Sequence, residues 1–117
     1  MEGVAPSASA PTPATRPWTI RLLEYEVTLP NAREEALQKH IEPTQKRLRD
    51  KFTVDTRVLE WTRGGKKYIG LFHGQWDSPQ HPDIVKREPI LRSLEPFNPG
   101  RKPFENSCKV MQEPPSD

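Results

Sequence analysis

Three histidines, one cysteine and one short acidic run are what the chain offers for side-chain chemistry. The residues are His40, His73, His81, Cys108 and the stretch Asp77-Ser78-Pro79-Gln80-His81-Pro82-Asp83. His73, His81 and Asp77 form the one set from which acid–base work could be assembled. Asp77, His81 and Asp83 would also be three potential metal ligands. Pro79 and Pro82 stiffen that run, however, and its spacing fits no metal motif with a physical basis. His40 stands beside Lys39 on a helical stretch, where a solvated side chain is the stronger reading. His73 falls in a strand, which favours a packed, hydrogen-bonded role. With one cysteine there is no disulfide within the chain and no cysteine-based metal site. No neighbouring base stands ready to lower the pKa of Cys108. Gly64-Gly65 lacks the strand–loop–helix setting of a phosphate loop. The expectation is therefore no catalytic residue, no cofactor, no metal and no small-molecule substrate.

A second set could bind instead of react. Arg57, Trp61, Arg63, Lys66, Lys67 and Tyr68 interleave basic and aromatic side chains over one stretch. Lys46, Arg47, Arg49 and Lys51 precede it closely. Aromatic rings beside cations on a sheet are how several single-strand RNA binders work. The consensus glycine–aromatic spacing of the RNA-recognition motif is absent from KKYIGLFHG.

These residues need elements to hold them. In residues 18–29, Leu23, Tyr25, Val27 and Leu29 alternate with Glu24, Glu26 and Thr28, the period of a half-buried strand ended by Pro30. Residues 31–52 read as a helix. Asn31 is the expected N-cap, with Glu34 three residues on. Leu37, Ile41, Leu48 and Phe52 form its apolar stripe, and Glu35–Lys39 and Glu42–Lys46 are favourable i,i+4 pairs. Pro43 deletes a helical hydrogen bond, and a kink is expected there. Residues 53–76 read as a hairpin turning on Gly64-Gly65. That turn pairs Arg63 with Lys66, Trp61 with Tyr68, Leu59 with Gly70 and Val58 with Leu71. The fold class is α+β. A two-layer βαββ core is expected over 18–76, with a three-stranded antiparallel or mixed sheet and one kinked helix. The first strand has either hairpin strand as its neighbour. This order stops one helix short of the ferredoxin-like βαββαβ pattern. It invites comparison with small ribosomal proteins, but no motif carries a resemblance.

Both ends of the chain differ from this core. Residues 1–17 hold Pro6, Pro11, Pro13 and Pro17 and read as a Pro/Ala/Ser-rich arm. Residues 77–117 are broken by eight of the fourteen prolines and read as a second, extended arm. Asp83 to Leu94 is the one part of it fit for a turn or two of helix. Yet Ile84, Val85, Ile90, Leu91, Leu94, Phe97 and Phe104 are scattered through it, which predicts docking on the core or on another protein. Only 32% of the residues are apolar. Fixing each backbone residue costs roughly 1–2 kcal/mol, so a partner is expected to order part of the chain.

The net charge of +2, from 18 basic and 16 acidic side chains, weighs against a dedicated polyanion binder. No run of about 20 apolar residues suggests a membrane span. The first residues lack the make-up of a secretory signal. The lone cysteine fits a reducing, intracellular setting, cytoplasmic or mitochondrial.

Three functions follow in order of preference. The first is a non-enzymatic accessory or structural subunit of a larger protein assembly, with Trp18, Trp61, Trp76, Phe97 and Phe104 as its anchors. The second is an RNA-binding, ribosomal-type protein using the basic and aromatic hairpin. The third is a small enzyme or regulator using His73, His81 and Asp77.

Overall fold

The fold follows from how the hairpin, the first strand and the C-terminal stretch share one sheet. A computed structural model describes residues 16–115. Most of the expected N-terminal arm, residues 1–15, lies outside them. The elements are β1 (Trp18–Glu26), α1, β2 (Arg57–Arg63), β3 (Lys66–Trp76), α2 (Pro82–Arg92) and β4 (Lys109–Gln112). Helix α1 is continuous through three segments, Ala32–Ala36, Leu37–Ile41 and Glu42–Phe52.

The hairpin has the register its turn dictates. Gly64 and Gly65 have φ of 60° and 79°, the left-handed pair a two-residue turn requires. Arg63 faces Lys66, Trp61 faces Tyr68, Leu59 faces Gly70 and Val58 faces Leu71. Strand β1 pairs antiparallel with β3, the second hairpin strand. The expected three-stranded sheet has a fourth member, because β4 pairs antiparallel with the outer side of β1. The strand order is β2-β3-β1-β4. With α1 and α2 in the crossovers, this is the element and strand order of the ferredoxin-like, split βαβ pattern.

The C-terminal stretch is therefore not one extended arm. Helix α2 runs three turns through Pro89. The hydrogen bond that Pro89 cannot donate would have gone to the Val85 carbonyl. Val85 and Pro89 are both exposed, so water can satisfy that carbonyl and the helix continues. Asp83 N–H donates to His81 Nδ1 at 3.1 Å, which caps the first turn. Ile84 and Leu91, two helical turns apart, point into the core. Beyond α2, Phe104 is wholly buried. The Ser107 hydroxyl donates to the Leu22 carbonyl at 2.6 Å, and Arg21 donates to the Ser107 carbonyl.

One face of the sheet holds the core. Ile20, Ile69 and Leu71 pack there with Ala36, Ile41 and Leu48 of α1 and Ile84 and Leu91 of α2. Two bulges shape this face. Between Arg21 and Leu23, β1 carries one residue more than β3, so Ile20 and Leu23 face the same way despite their odd separation. That is why the strict alternation read from Leu23 onward does not extend back to Ile20. The second bulge centres on Gly74, at φ 77°. It brings Trp76 to the side of His73, whose ring lies 6.0 Å from its own.

Pro43 is absorbed differently from a simple kink. The N–H of Glu42 bonds to the Leu37 carbonyl, five residues back, making Leu37–Ile41 a π-turn. Pro43 follows directly, in the first turn of the next α segment, so the residue that lacks an N–H comes just after the widened turn. Asn31 also departs from expectation. It has a left-handed backbone, φ 68°, and its side chain makes no cap bond, so no capping box forms. Lys39 pairs with Glu35 as expected, but Lys46 pairs with Asp50 rather than Glu42. A bidentate Arg33–Glu60 pair, at 2.7 and 2.9 Å, ties the start of α1 to the sheet. It holds the Glu60 carboxyl below the usual carboxylate range.

Candidate functional site

The residues with reactive chemistry do not converge. His73 is nearly buried; its Nδ1 donates to the Asp55 carbonyl at 2.7 Å, and its Nε2 lies 3.2 Å from Arg87. His81 uses Nδ1 to cap α2. The Trp76 ring stands between the two histidines, 6.0 Å from His73 and 6.3 Å from His81. Asp77 is exposed beyond the end of β3. A cleft of about 360 Å³ beside His73 is lined by Thr53, Val54, Asp55, Arg87, Ile90 and Leu91, without His81 or Asp77. Among the described residues, no three potential metal ligands gather. Cys108 is buried, and burial pushes its thiol up to about 11 against the opposing pull of Arg92. A thiol in that state is not a nucleophile at neutral pH.

The basic and aromatic hairpin forms the sheet face turned away from the helices. Trp61 stacks on Tyr68, with ring centroids 5.8 Å apart, and meets Phe72 edge-on at 5.6 Å. These rings are not an open platform, because Trp61 is 2% exposed and Phe72 is fully buried. The indole nitrogen of Trp61 has no hydrogen-bond partner there. Arg63 lies over the half-buried Tyr68 at 4.5 Å. The cations have carboxylate neighbours: Arg57 meets Glu113 at 2.6 Å, Arg63 meets Glu24 at 3.5 Å, and Lys66 meets Glu26 at 3.9 Å. Lys67 is exposed at the hairpin tip.

The five aromatic anchor candidates divide sharply. Trp61, Trp76 and Phe104 are core residues, and Trp18 is half-buried opposite Trp76. Phe97 is 41% exposed. It stands on the loop after α2, against the outer face of α1. On one side lies a cleft of about 330 Å³ lined by Leu23, Tyr25, Lys39, His40, Phe104 and Arg101, among others. On the other lies a cleft of about 550 Å³ lined by Pro43, Lys46, Arg47, Asp50, Lys51 and Phe97. Pro43 and Phe97 belong to both. In the first cleft, His40 stacks on Tyr25 with ring centroids 5.1 Å apart. Burial raises the Tyr25 phenol, which therefore remains a neutral hydroxyl.

The charges of this face are one-sided. Arg47 sits 5.5 Å over the Phe97 ring. The one acid in the lining, Asp50, is already matched by Lys46 and Arg49. Among the described residues no carboxylate pairs with Arg47, Lys51 or Arg101. In the sequence, Arg47 and Lys51 stand out as basic residues, but nothing there links them to Phe97 or Arg101. That link depends on where the 97–104 loop lands. The helix half was legible: His40, Pro43, Arg47 and Lys51 recur at spacings of three and four, away from the apolar stripe.

Among the described residues, no helix is long and apolar enough to cross a membrane. No known family model, curated protein or solved structure matches the chain.

Proposed function

We propose that the protein is a non-enzymatic accessory subunit of a larger intracellular assembly, docking through the face built by α1 and Phe97. The observation that carries this reading is Phe97 itself, a large ring left exposed between two clefts while the other aromatic anchors stabilise the core. Aromatic residues bordered by pockets dominate contact energies in protein interfaces. The C-terminal stretch is part of the fold, so docking rests on the surface of the core, not on a wrapping C-terminal arm. The scattered positions of His73, His81 and Asp77 support a binding role over catalysis. The carboxylates beside Arg57, Arg63 and Lys66, and the buried rings of Trp61 and Phe72, weigh against an RNA platform on the hairpin.

A pull-down from native extract at low salt, with and without nuclease, tests this reading. The expected result is a protein partner that survives nuclease and is lost with Phe97→Ala. Recovery that depends on nucleic acid, or that is indifferent to Phe97→Ala, contradicts it.

A further inference from the structure

The docking face has a definite chemistry. Its two clefts share Phe97 and are rimmed by Lys39 and Lys46, paired with Glu35 and Asp50, and by Arg47, Lys51 and Arg101, unpaired among the described residues. A net charge of only +2 does not produce such a face by default. Arg47, Lys51 and Arg101 have no carboxylate partner within the described fold, whereas three hairpin cations have one. Close cations repel one another, and opposite charges brought by a partner relieve that repulsion.

Resting on the docking reading above, we infer that this face binds an acidic, extended peptide segment of a partner protein. An apolar side chain of that segment packs on Phe97, and its carboxylates meet Arg47, Lys51 and Arg101. Size supports a peptide. His40 to Lys51 spans about 16 Å at a rise of 1.5 Å per residue. An extended chain covers that length with about five residues at 3.3 Å each. Clefts of about 330 and 550 Å³ on either side of Phe97 take side chains as ridges take grooves. A single-stranded nucleic acid fits less well. Its bases need successive open aromatic platforms, and the rings of this face are already engaged: Arg47 lies over Phe97 and His40 is stacked on Tyr25.

Fluorescence anisotropy with defined probes tests the inference. The probe is a fluorescein-labelled peptide in which aspartate alternates with leucine. Its controls are a serine–leucine peptide, an aspartate–serine peptide and labelled oligouridine. The full-length chain is expected to bind the aspartate–leucine peptide at least about tenfold more tightly than any control, a difference of 1.4 kcal/mol. Phe97→Ala is expected to weaken binding about tenfold. Arg47→Glu with Lys51→Glu, which leaves the ring in place, is expected to do the same and to flatten the salt dependence. Thermal melts of both variants check that the fold persists. Equal binding of the serine–leucine peptide, tighter binding of oligouridine, or indifference to the charge reversal overturns the inference. A captured partner that needs Phe97 but engages it through a neutral segment also overturns the inference, while leaving the docking reading intact.

Discussion

Phe104→Ala is expected to destabilise the protein by about 3–5 kcal/mol, the usual range for emptying a buried phenylalanine site. Phe104 is 0% exposed and belongs to the same apolar cluster as Ile20, Ile41 and Leu71. It is the largest of the side chains that fix the 93–108 loop to the core, with Leu94, the buried Pro96 and Cys108 beside it, and this loop carries Phe97. The backbone around it is held by Ser107 on the Leu22 carbonyl and by Cys108 N–H on the Phe104 carbonyl. Alanine there leaves a cavity that these hydrogen bonds keep from collapsing. For a domain of this size the loss corresponds to a melting temperature lower by roughly 15 °C. Phe104→Leu keeps most of the volume and is expected to lose less than about 1.5 kcal/mol. Chemical denaturation of both variants measures this. Equal, small losses would mean that the loop is not part of the core.

Gly74→Ala is expected to lower stability by about 3 kcal/mol, from two causes. The first is backbone: at φ 77° an L side chain costs roughly 1–2 kcal/mol. The second is space. A Cβ on Gly74 would clash with the outer edge of the Trp76 ring. Trp76 cannot swing clear, because it is packed among His73, His81 and Arg87. Overpacking of this kind typically adds 1–3 kcal/mol. Gly64→Asn serves as the control. Its φ has the same sign, but nothing lies within 4 Å of the added atom, so asparagine is expected to cost only a few tenths of a kcal/mol. Similar melting temperatures for Gly74→Ala and the unsubstituted chain would contradict the bulge geometry.

What the sequence disclosed tracks how local each signal is. The hairpin register was legible residue by residue, because Gly64-Gly65 fixes it without reference to anything distant. The α1 stripe and the β1 alternation from Leu23 to Val27 were legible for the same reason, but the end of β1 was not: the strand stops at Glu26 rather than at Pro30, and Leu29 is exposed. The fourth strand was not. Lys109–Gln112 is four residues long, lacks a turn signal tying it to β1, and pairs with residues about 90 positions earlier. Helix α2 was masked by Pro89, whose penalty is small where the orphaned carbonyl meets water. Pro43 gave the site of a helix irregularity but not its form, since a kink and a π-turn start from the same missing N–H. Exposure was the least legible feature. Trp61, Trp76, Phe97 and Phe104 look alike in sequence. Their tertiary neighbours decide which has a surface left to offer: Tyr68 and Phe72 cover Trp61, and His81 and Arg87 of the α2 region cover Trp76.

Amide hydrogen exchange of the free chain, read residue by residue, addresses the central claim that the stretch after Trp76 folds onto the core. The predicted result is slow exchange at Glu88, Leu91, Cys108 and Glu113, whose N–H groups lie in α2, behind Phe104 and beside β1, comparable to that within β3. Rapid exchange at those amides while β1, β2 and β3 remain protected would contradict it. The chain would then be a three-stranded core with a loose tail, and Phe97 would not be held between two clefts.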